Sequence, residues 1–205
     1  MKLAAVIIET RNIAFLGNII TDHLRYLPKN TPLHIFHSQQ NEYLKNNFKK
    51  AKFILLPNSI TLEDYNKLLT TPAFWEQFLK YDRVFVFQSD SRLLRKGIEV
   101  FMPYDYVGAP FRFQEHGGNG GCSLRNPAIM HKICTTYPYN VTYGNEDVYF
   151  CNIMHQHKIG NLINREKALL FGTESVFALG TFSYHAIDKW LTPQQCNLIR
   201  TQYEK

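Results

Sequence analysis

Apolar runs alternate with amphipathic stretches through the first half of the chain. LAAVII (3–8), LHIFH (33–37), KFILLP (52–57) and RVFVF (83–87) are short, continuous and rich in Val, Ile and Phe, the pattern of strands buried on both faces. Between them the spacing turns helical. GNIITDHLRYL (17–27) reads as a helix closed by Pro28, and a polar helix is expected near 39–50. Thr61 with Asp64 makes a capping box for another helix, which Thr71-Pro72 interrupts and restarts, running to about Tyr81. Strands separated by helices predict an α/β domain, with a mainly parallel central sheet covered by helices on both faces. Such sheets take ligands beyond the carboxyl ends of their strands. There the chain carries ETRN after the first strand and QSDS after the fourth.

The second half is less regular. YDYVGAP (104–110) predicts a short strand and turn, HGGNGGCSLR (116–125) is glycine-rich, and Asn126-Pro127 opens a helix. GNEDVYFCNIMHQHK (144–158) reads as a helix with two acids in its first turn. TPQQCNLIRTQYEK (192–205) is a closing helix, capped by Thr192 with Pro193 at its first position. No linker or repeat divides the 205 residues, so they read as one domain.

Composition narrows this little. A 45% hydrophobic content rules out wholesale disorder, and a net charge of +6 favours anionic partners. The apolar run Leu3 to Ile8 is too short for a signal peptide, and no stretch reaches membrane-spanning length. Cys122, Cys134, Cys151 and Cys196 show no CxxC spacing and are expected as reduced thiols, which points to the cytoplasm or another reducing compartment, soluble or peripheral to a membrane. The lysines around 45–52 read most simply as a solvated helix face with no defined aromatic platform, so nucleic-acid binding is not expected.

Candidate chemistry gathers at a few places. Asp90, at a strand's carboxyl end among small residues, suits a hard divalent cation; equally, SDSRL reads as a helix start that Asp90 caps. Gly117, Gly118, Gly120 and Gly121 around Asn119 permit close approach of backbone to ligand, or a flexible surface turn. Neither a phosphate-binding GK[ST] loop nor GxGxxG is present. Glu146 and Asp147 complement a helix dipole, or present a general base on a rigid helix end. His155, His157 and Cys151 do not complete a zinc site and are expected on a solvated helix end. His185, alone among aromatics, reads by itself as structural.

The order of these pieces resembles the GT-A fold of nucleotide-sugar glycosyltransferases. That family carries a DxD-type metal motif, a glycine-rich loop, an xED motif and a late metal-binding histidine. More narrowly, FQSDSRLLRKGIEVFMPYDYVGAPF, NGGCSLRNP, NEDVYF and YHAIDKW are similar to a family of small glycosyltransferase-like domains long catalogued as of unknown function. That resemblance covers roughly residues 80–190. It implies a Rossmann-like GT-A domain with a nucleotide-binding half over 1–91 and an acceptor or catalytic half over 92–205. It also implies metal-assisted, inverting transfer of a hexosyl or deoxyhexosyl group from a nucleotide-diphosphate sugar to a glycan hydroxyl. UDP is the expected nucleotide, with GDP and dTDP as alternatives.

The implied roles follow the motifs. Asp90 and His185 hold Mn²⁺ or Mg²⁺, and Asp147 is the base, with Glu146 in reserve. Thr10, Arg11, Gln88, Ser89, Arg92 and Lys189 contact the nucleotide sugar, and Gly118, Asn119, Gly120 and Gly121 line the donor–acceptor junction. One departure stands out: Gln88 replaces the first acid of the metal motif. A degenerate fold serving as a glycan-binding or scaffold module is therefore the main alternative. A sugar-nucleotidyltransferase fits less well, because ETRNIAFLGN after the first strand is glycine-poor.

Overall fold

All seven residues of β1 (Leu3–Glu9) are buried, because β1 lies inside a sheet with a neighbour on each edge and helices on each face. The computed structural model describes residues 2–201. After β1 come α1 (Leu16–Tyr26), β2 (Leu33–His37), α2 (Leu44–Asn47), β3 (Lys52–Leu55), α3 (Leu62–Leu69), α4 (Pro72–Glu76) and β4 (Arg83–Phe87). They are followed by β5 (Ser91–Leu93), β6 (Tyr106–Gly108), β7 (Cys122–Arg125), α5 (Pro127–Thr136), α6 (Glu146–His157) and α7 (Arg165–Phe171). β8 (Gly172–Thr173), β9 (Ser183–His185), α8 (Ile187–Trp190) and α9 (Pro193–Thr201) end the described chain.

The main sheet has six strands in the order β3-β2-β1-β4-β7-β6. β3, β2, β1 and β4 are parallel, while β7 runs antiparallel to both β4 and β6. The fold is thus a mixed α/β single domain with a mostly parallel central sheet, as the strand–helix alternation predicts. A second, three-stranded sheet pairs β5, β9 and β8. It brings Ser91 opposite His185 and Arg92 opposite Tyr184.

Strand alternation sorts the core into two layers. Ala5, Ile7, Phe85 and Phe87 face one way, onto Leu16 and Ile20 of α1 and Phe171 of α7. Val6, Ile8, Val84 and Val86 face the other, onto Trp75 of α4, Met130 and Ile133 of α5, and Tyr149 and Phe150 of α6. Burial of both faces explains why β1 and β4 carry no polar alternation.

Several elements differ from expectation. Residues 39–50 form a 3-10 turn and the single turn of α2 in place of one polar helix. α4 ends at Glu76, short of Tyr81, and β3 ends at Leu55. SDSRL starts no helix; Ser91–Leu93 is β5, so Asp90 caps nothing. The glycine loop is no flexible surface turn, since Gly117, Gly118, Gly120 and Gly121 are all buried. Residues 202–205 of the expected closing helix lie outside the described residues. Among the described residues no helix is long and apolar enough to cross a membrane.

Candidate functional site

The carboxyl end of β4 turns sharply, with the Ser91 amide and hydroxyl both donating to the Gln88 carbonyl (3.1 and 2.7 Å). This turn points Gln88 and Asp90 at β9. There His185 Nε2 lies 3.0 Å from Gln88 Oε1 and 3.1 Å from Asp90 Oδ1. On its other side His185 Nδ1 meets Glu174 Oε1 at 3.2 Å. Glu174 therefore orients the ring and directs Nε2 toward Asp90 and Gln88, the arrangement that commonly supports a metal-ligating histidine. Lys189 Nζ contacts Asp90 Oδ2 at 3.0 Å. Burial alone would lower the His185 pKa, but hydrogen bonds and charge from Asp90 and Glu174 raise it to about 9. Burial would likewise raise Asp90, yet His185 and then Lys189 hold it well below the ordinary carboxylate range.

The end of β1 supplies the neighbouring wall. The buried Glu9 carboxylate accepts from Arg11 Nε and Nη2 (2.9 and 2.7 Å), from the Arg11 amide (2.9 Å) and from Ser89 Oγ (2.8 Å). Glu9 thus fixes both Arg11 and Ser89. Thr10 is buried, with its hydroxyl accepting from the Ile60 amide at 3.1 Å. Glu9, Thr10, Arg11, Tyr65, Gln88, Asp90 and Lys189 border a cavity of about 230 Å³.

α6 presents the third group. Asn66 of α3 accepts the Glu146 amide at 3.1 Å, standing in as cap and placing the helix start. Asp147 Oδ2 accepts from the Gly120 amide (3.0 Å) and Oδ1 from the Val148 amide (2.8 Å). Glu146 is bound at both oxygens by Arg125 (2.5 and 2.9 Å). Arg125 is fully buried, its guanidinium 4.9 Å from the Tyr106 ring centre and 5.8 Å from those of Trp75 and Phe150. Burial, then the adjacent Glu146 charge, push the Asp147 carboxyl up to about 7, against the two amides that lower it. That value overrides the helix dipole, which alone favours the charged form.

The glycine loop threads between these groups, and its glycines are there for close approach. A Cβ at Gly120 would lie 2.3 Å from Glu146 Oε1, and one at Gly121 would lie 2.2 Å from His185 Nε2. Asn119 caps the loop by accepting the Gly121 amide at 2.8 Å. Tyr65, Gln88, Asn119, Gly121, Asp147, Glu174, His185, Lys189 and Trp190 border a second cavity of about 330 Å³. Leu62, Tyr65, Gln88 and Lys189 border both cavities, which makes the two a continuous cleft. A larger cavity, about 640 Å³, is lined by Lys2, Pro28, Ile98 and Met102 and contains none of these groups.

The structure therefore gathers Thr10, Arg11, Gln88, Ser89, Asp90, the glycine loop, Asp147, His185 and Lys189 at one cleft. Arg92 is a correction. β5 pairs it with Tyr184, and strand alternation sends it to a separate cavity shared with Arg25 and Arg200. Glu146 is a second correction. It lines the cleft, but both its oxygens accept from the buried Arg125 guanidinium, which places it as that group's counter-charge. Glu9, Tyr65, Arg125, Glu174 and Trp190 were not expected at the site. Glu9 could have been suspected from its place beside Arg11 at a strand end; Glu174 lies in a stretch with no periodic signal. His155 and His157 are exposed, as expected of a solvated helix end, whereas Cys151 is buried and packs under Gly118. Among the described residues no group of three or more His, Cys, Asp or Glu side chains is placed to hold a metal ion. Asp90 and His185, with the Gln88 amide oxygen, are the nearest approach.

Comparison with known proteins places most of the chain in a family. The family described as "Protein of unknown function (DUF5672)" matches residues 38–186. The chain belongs to that family. Its match begins before residue 80, where the narrower resemblance read from the sequence starts. No curated protein sequence matches the chain. Among solved structures, the apo-form glycosyltransferase GlyE of Streptococcus pneumoniae TIGR4 is similar at a TM-score of 0.48 and 14% identity. That superposition covers 82% of this chain and 46% of GlyE, so this chain spans less than half of its length.

Proposed function

We propose that this member of the family is a glycosyltransferase that moves a sugar from a nucleotide-diphosphate donor to a hydroxyl of a glycan acceptor. One observation carries the reading: a buried carboxylate raised to about 7 and an Asp–His–Gln cluster line one continuous cleft. A general base works best with its pKa near the operating pH, and Asp147 meets that condition. A glycan-binding module has no need of such a group.

Asp147 takes the proton from the acceptor hydroxyl, whose oxygen then attacks the anomeric carbon. The bond from that carbon to the donor phosphate oxygen breaks, and the nucleotide diphosphate leaves with the electron pair. Attack from the side opposite the leaving group inverts the anomeric centre. Thr10, Arg11 and Ser89 would hold the nucleotide, and Lys189, between the two cavities, would contact the phosphates. Gly118 to Gly121 and Asn119 would shape the junction where donor sugar meets acceptor.

Asp90, His185 and the Gln88 amide oxygen would hold a divalent cation, Mn²⁺ or Mg²⁺, which supplies charge neutralisation for the leaving diphosphate. The donor set fits, since carboxylate, imidazole and amide oxygen suit a hard or borderline ion; a cation there would take the place of the Nε2 proton that the raised His185 pKa keeps at neutral pH, while Glu174 holds Nδ1. With only one carboxylate in the set, phosphate oxygens of the donor would be needed to complete it, so metal and nucleotide would bind together.

Calorimetric titration of UDP, GDP and dTDP, each with and without Mn²⁺, tests this on the wild type and Asp90→Asn. Binding of one nucleotide that requires Mn²⁺ and is lost in the variant supports the donor site and names the base. Binding independent of Mn²⁺ keeps the donor site and removes the metal. No binding to any of the three overturns the transferase reading in favour of a glycan-binding module.

A further inference from the structure

The basic run after Asp90 is not absorbed by the catalytic cleft. Arg95 and Lys96 lie beyond β5 in an exposed turn. With Lys167 of α7 they line a separate cavity of about 340 Å³. Phe101 and Phe182, both buried, lie in its wall. Val100 and Leu170 also line it, and they are 72% and 53% exposed. Glu99 and Glu166, exposed beside Val100 and Lys167 in the chain, do not line the cavity, so its charged lining is wholly cationic.

Two independent features thus coincide on one face: three cations without a lining carboxylate, and two protruding aliphatic side chains beside them. We propose that this face docks on an anionic lipid bilayer. The headgroup phosphodiesters lie against Arg95, Lys96 and Lys167, while Val100 and Leu170 enter the headgroup–acyl boundary. Either signal alone gives weak, reversible attachment; the pairing of a basic cluster with inserted apolar side chains is what makes a membrane surface the fitting partner. A free soluble anion would satisfy the cations and leave the aliphatic pair in water.

The full chain is sedimented with vesicles of phosphatidylcholine alone and with vesicles in which phosphatidylglycerol replaces part of it. Two variants are compared, Lys96→Glu/Lys167→Glu and Val100→Ser/Leu170→Ser. All four side chains are exposed, and an unchanged melting curve verifies the fold. Binding is expected only to the phosphatidylglycerol vesicles, weakening as salt rises, with at least about a tenfold loss in the charge variant. The serine variant is expected to bind several-fold more weakly than wild type. Absence of binding to either vesicle at low salt overturns the proposal. So does full retention in the serine variant, which would mark non-specific attraction of a basic protein. Equal competition by free glycerol phosphate would also overturn it, by marking a soluble phosphate ligand.

Discussion

At the level of single side chains, Asp147 carries the reading. Replacing it with Asn should lower transfer by roughly 10²–10⁴-fold while leaving nucleotide binding intact, measured as turnover against calorimetric affinity. In the wild type, transfer should rise with pH through a midpoint near 7, where the carboxyl ionises. The same group links pH to stability. Between an unfolded value of about 4 and a folded value of about 7, the native state keeps a proton that the unfolded chain has lost. Stability should therefore fall as pH rises through that window and level off above it, and Asp147→Asn should flatten the slope in urea titrations. Glu146→Gln should act twice. It leaves the Arg125 guanidinium buried without its counter-charge, at a cost of about 3–5 kcal/mol. It also removes the negative neighbour of Asp147, so the activity midpoint should move to lower pH. A melting scan and a pH–rate profile separate these effects. Asp147 could be suspected from sequence as a helix-start acid, but its raised pKa could not, because that depends on burial under elements distant in the chain, which with the Glu146 charge outweighs the lowering by Gly120, Val148 and Arg125.

At the level of elements, the first four strands were legible because each is a continuous β-branched or aromatic run between helical stretches. β5, β8 and β9 were not. They have two or three residues apiece, too few for a period, and exist only because they pair with one another. β7 was hidden for a different reason. CSLR follows four glycines and reads as loop, yet it pairs with Val84 to Phe87 on one side and Tyr106 to Gly108 on the other. The glycine loop is the element whose role changed most, from a candidate flexible turn to a buried spacer between α6 and β9. Gly121→Ala gives a direct check. Its new Cβ would meet the His185 imidazole, which Glu174 and Gln88 hold in place. The ring must shift, so Mn²⁺-dependent nucleotide binding should be lost, with a stability cost of about 1–3 kcal/mol. A variant that keeps metal-dependent binding would show that His185 is not needed where the structure puts it.

At the level of the whole molecule, the division into a half over 1–91 and a half over 92–205 does not follow the fold. The boundary falls inside β5, and the central sheet runs across it, since β4 from the first half is zipped between β1 and β7. Both core layers draw on both halves. Trp75 and Phe150 are neighbours, as are Phe85 and Leu124 by cross-strand pairing. Neither half can cover its own apolar faces, so the chain should unfold as one cooperative unit. The two tryptophans report on it from different places, Trp75 in the core of the first half and Trp190 at the cleft wall in the second. Urea transitions followed by tryptophan fluorescence and by far-UV circular dichroism should coincide, with a single midpoint and slope. A fragment ending at residue 91 should fail to fold, because removing β7 and α6 exposes the edge of β4 and the face carrying Val84 and Val86. Two separated transitions, or a folded fragment, would mean that the nucleotide wall and the catalytic wall are independent bodies. The cleft would then be an interface between them, and Asp147 would owe its raised pKa to their docking rather than to a single core.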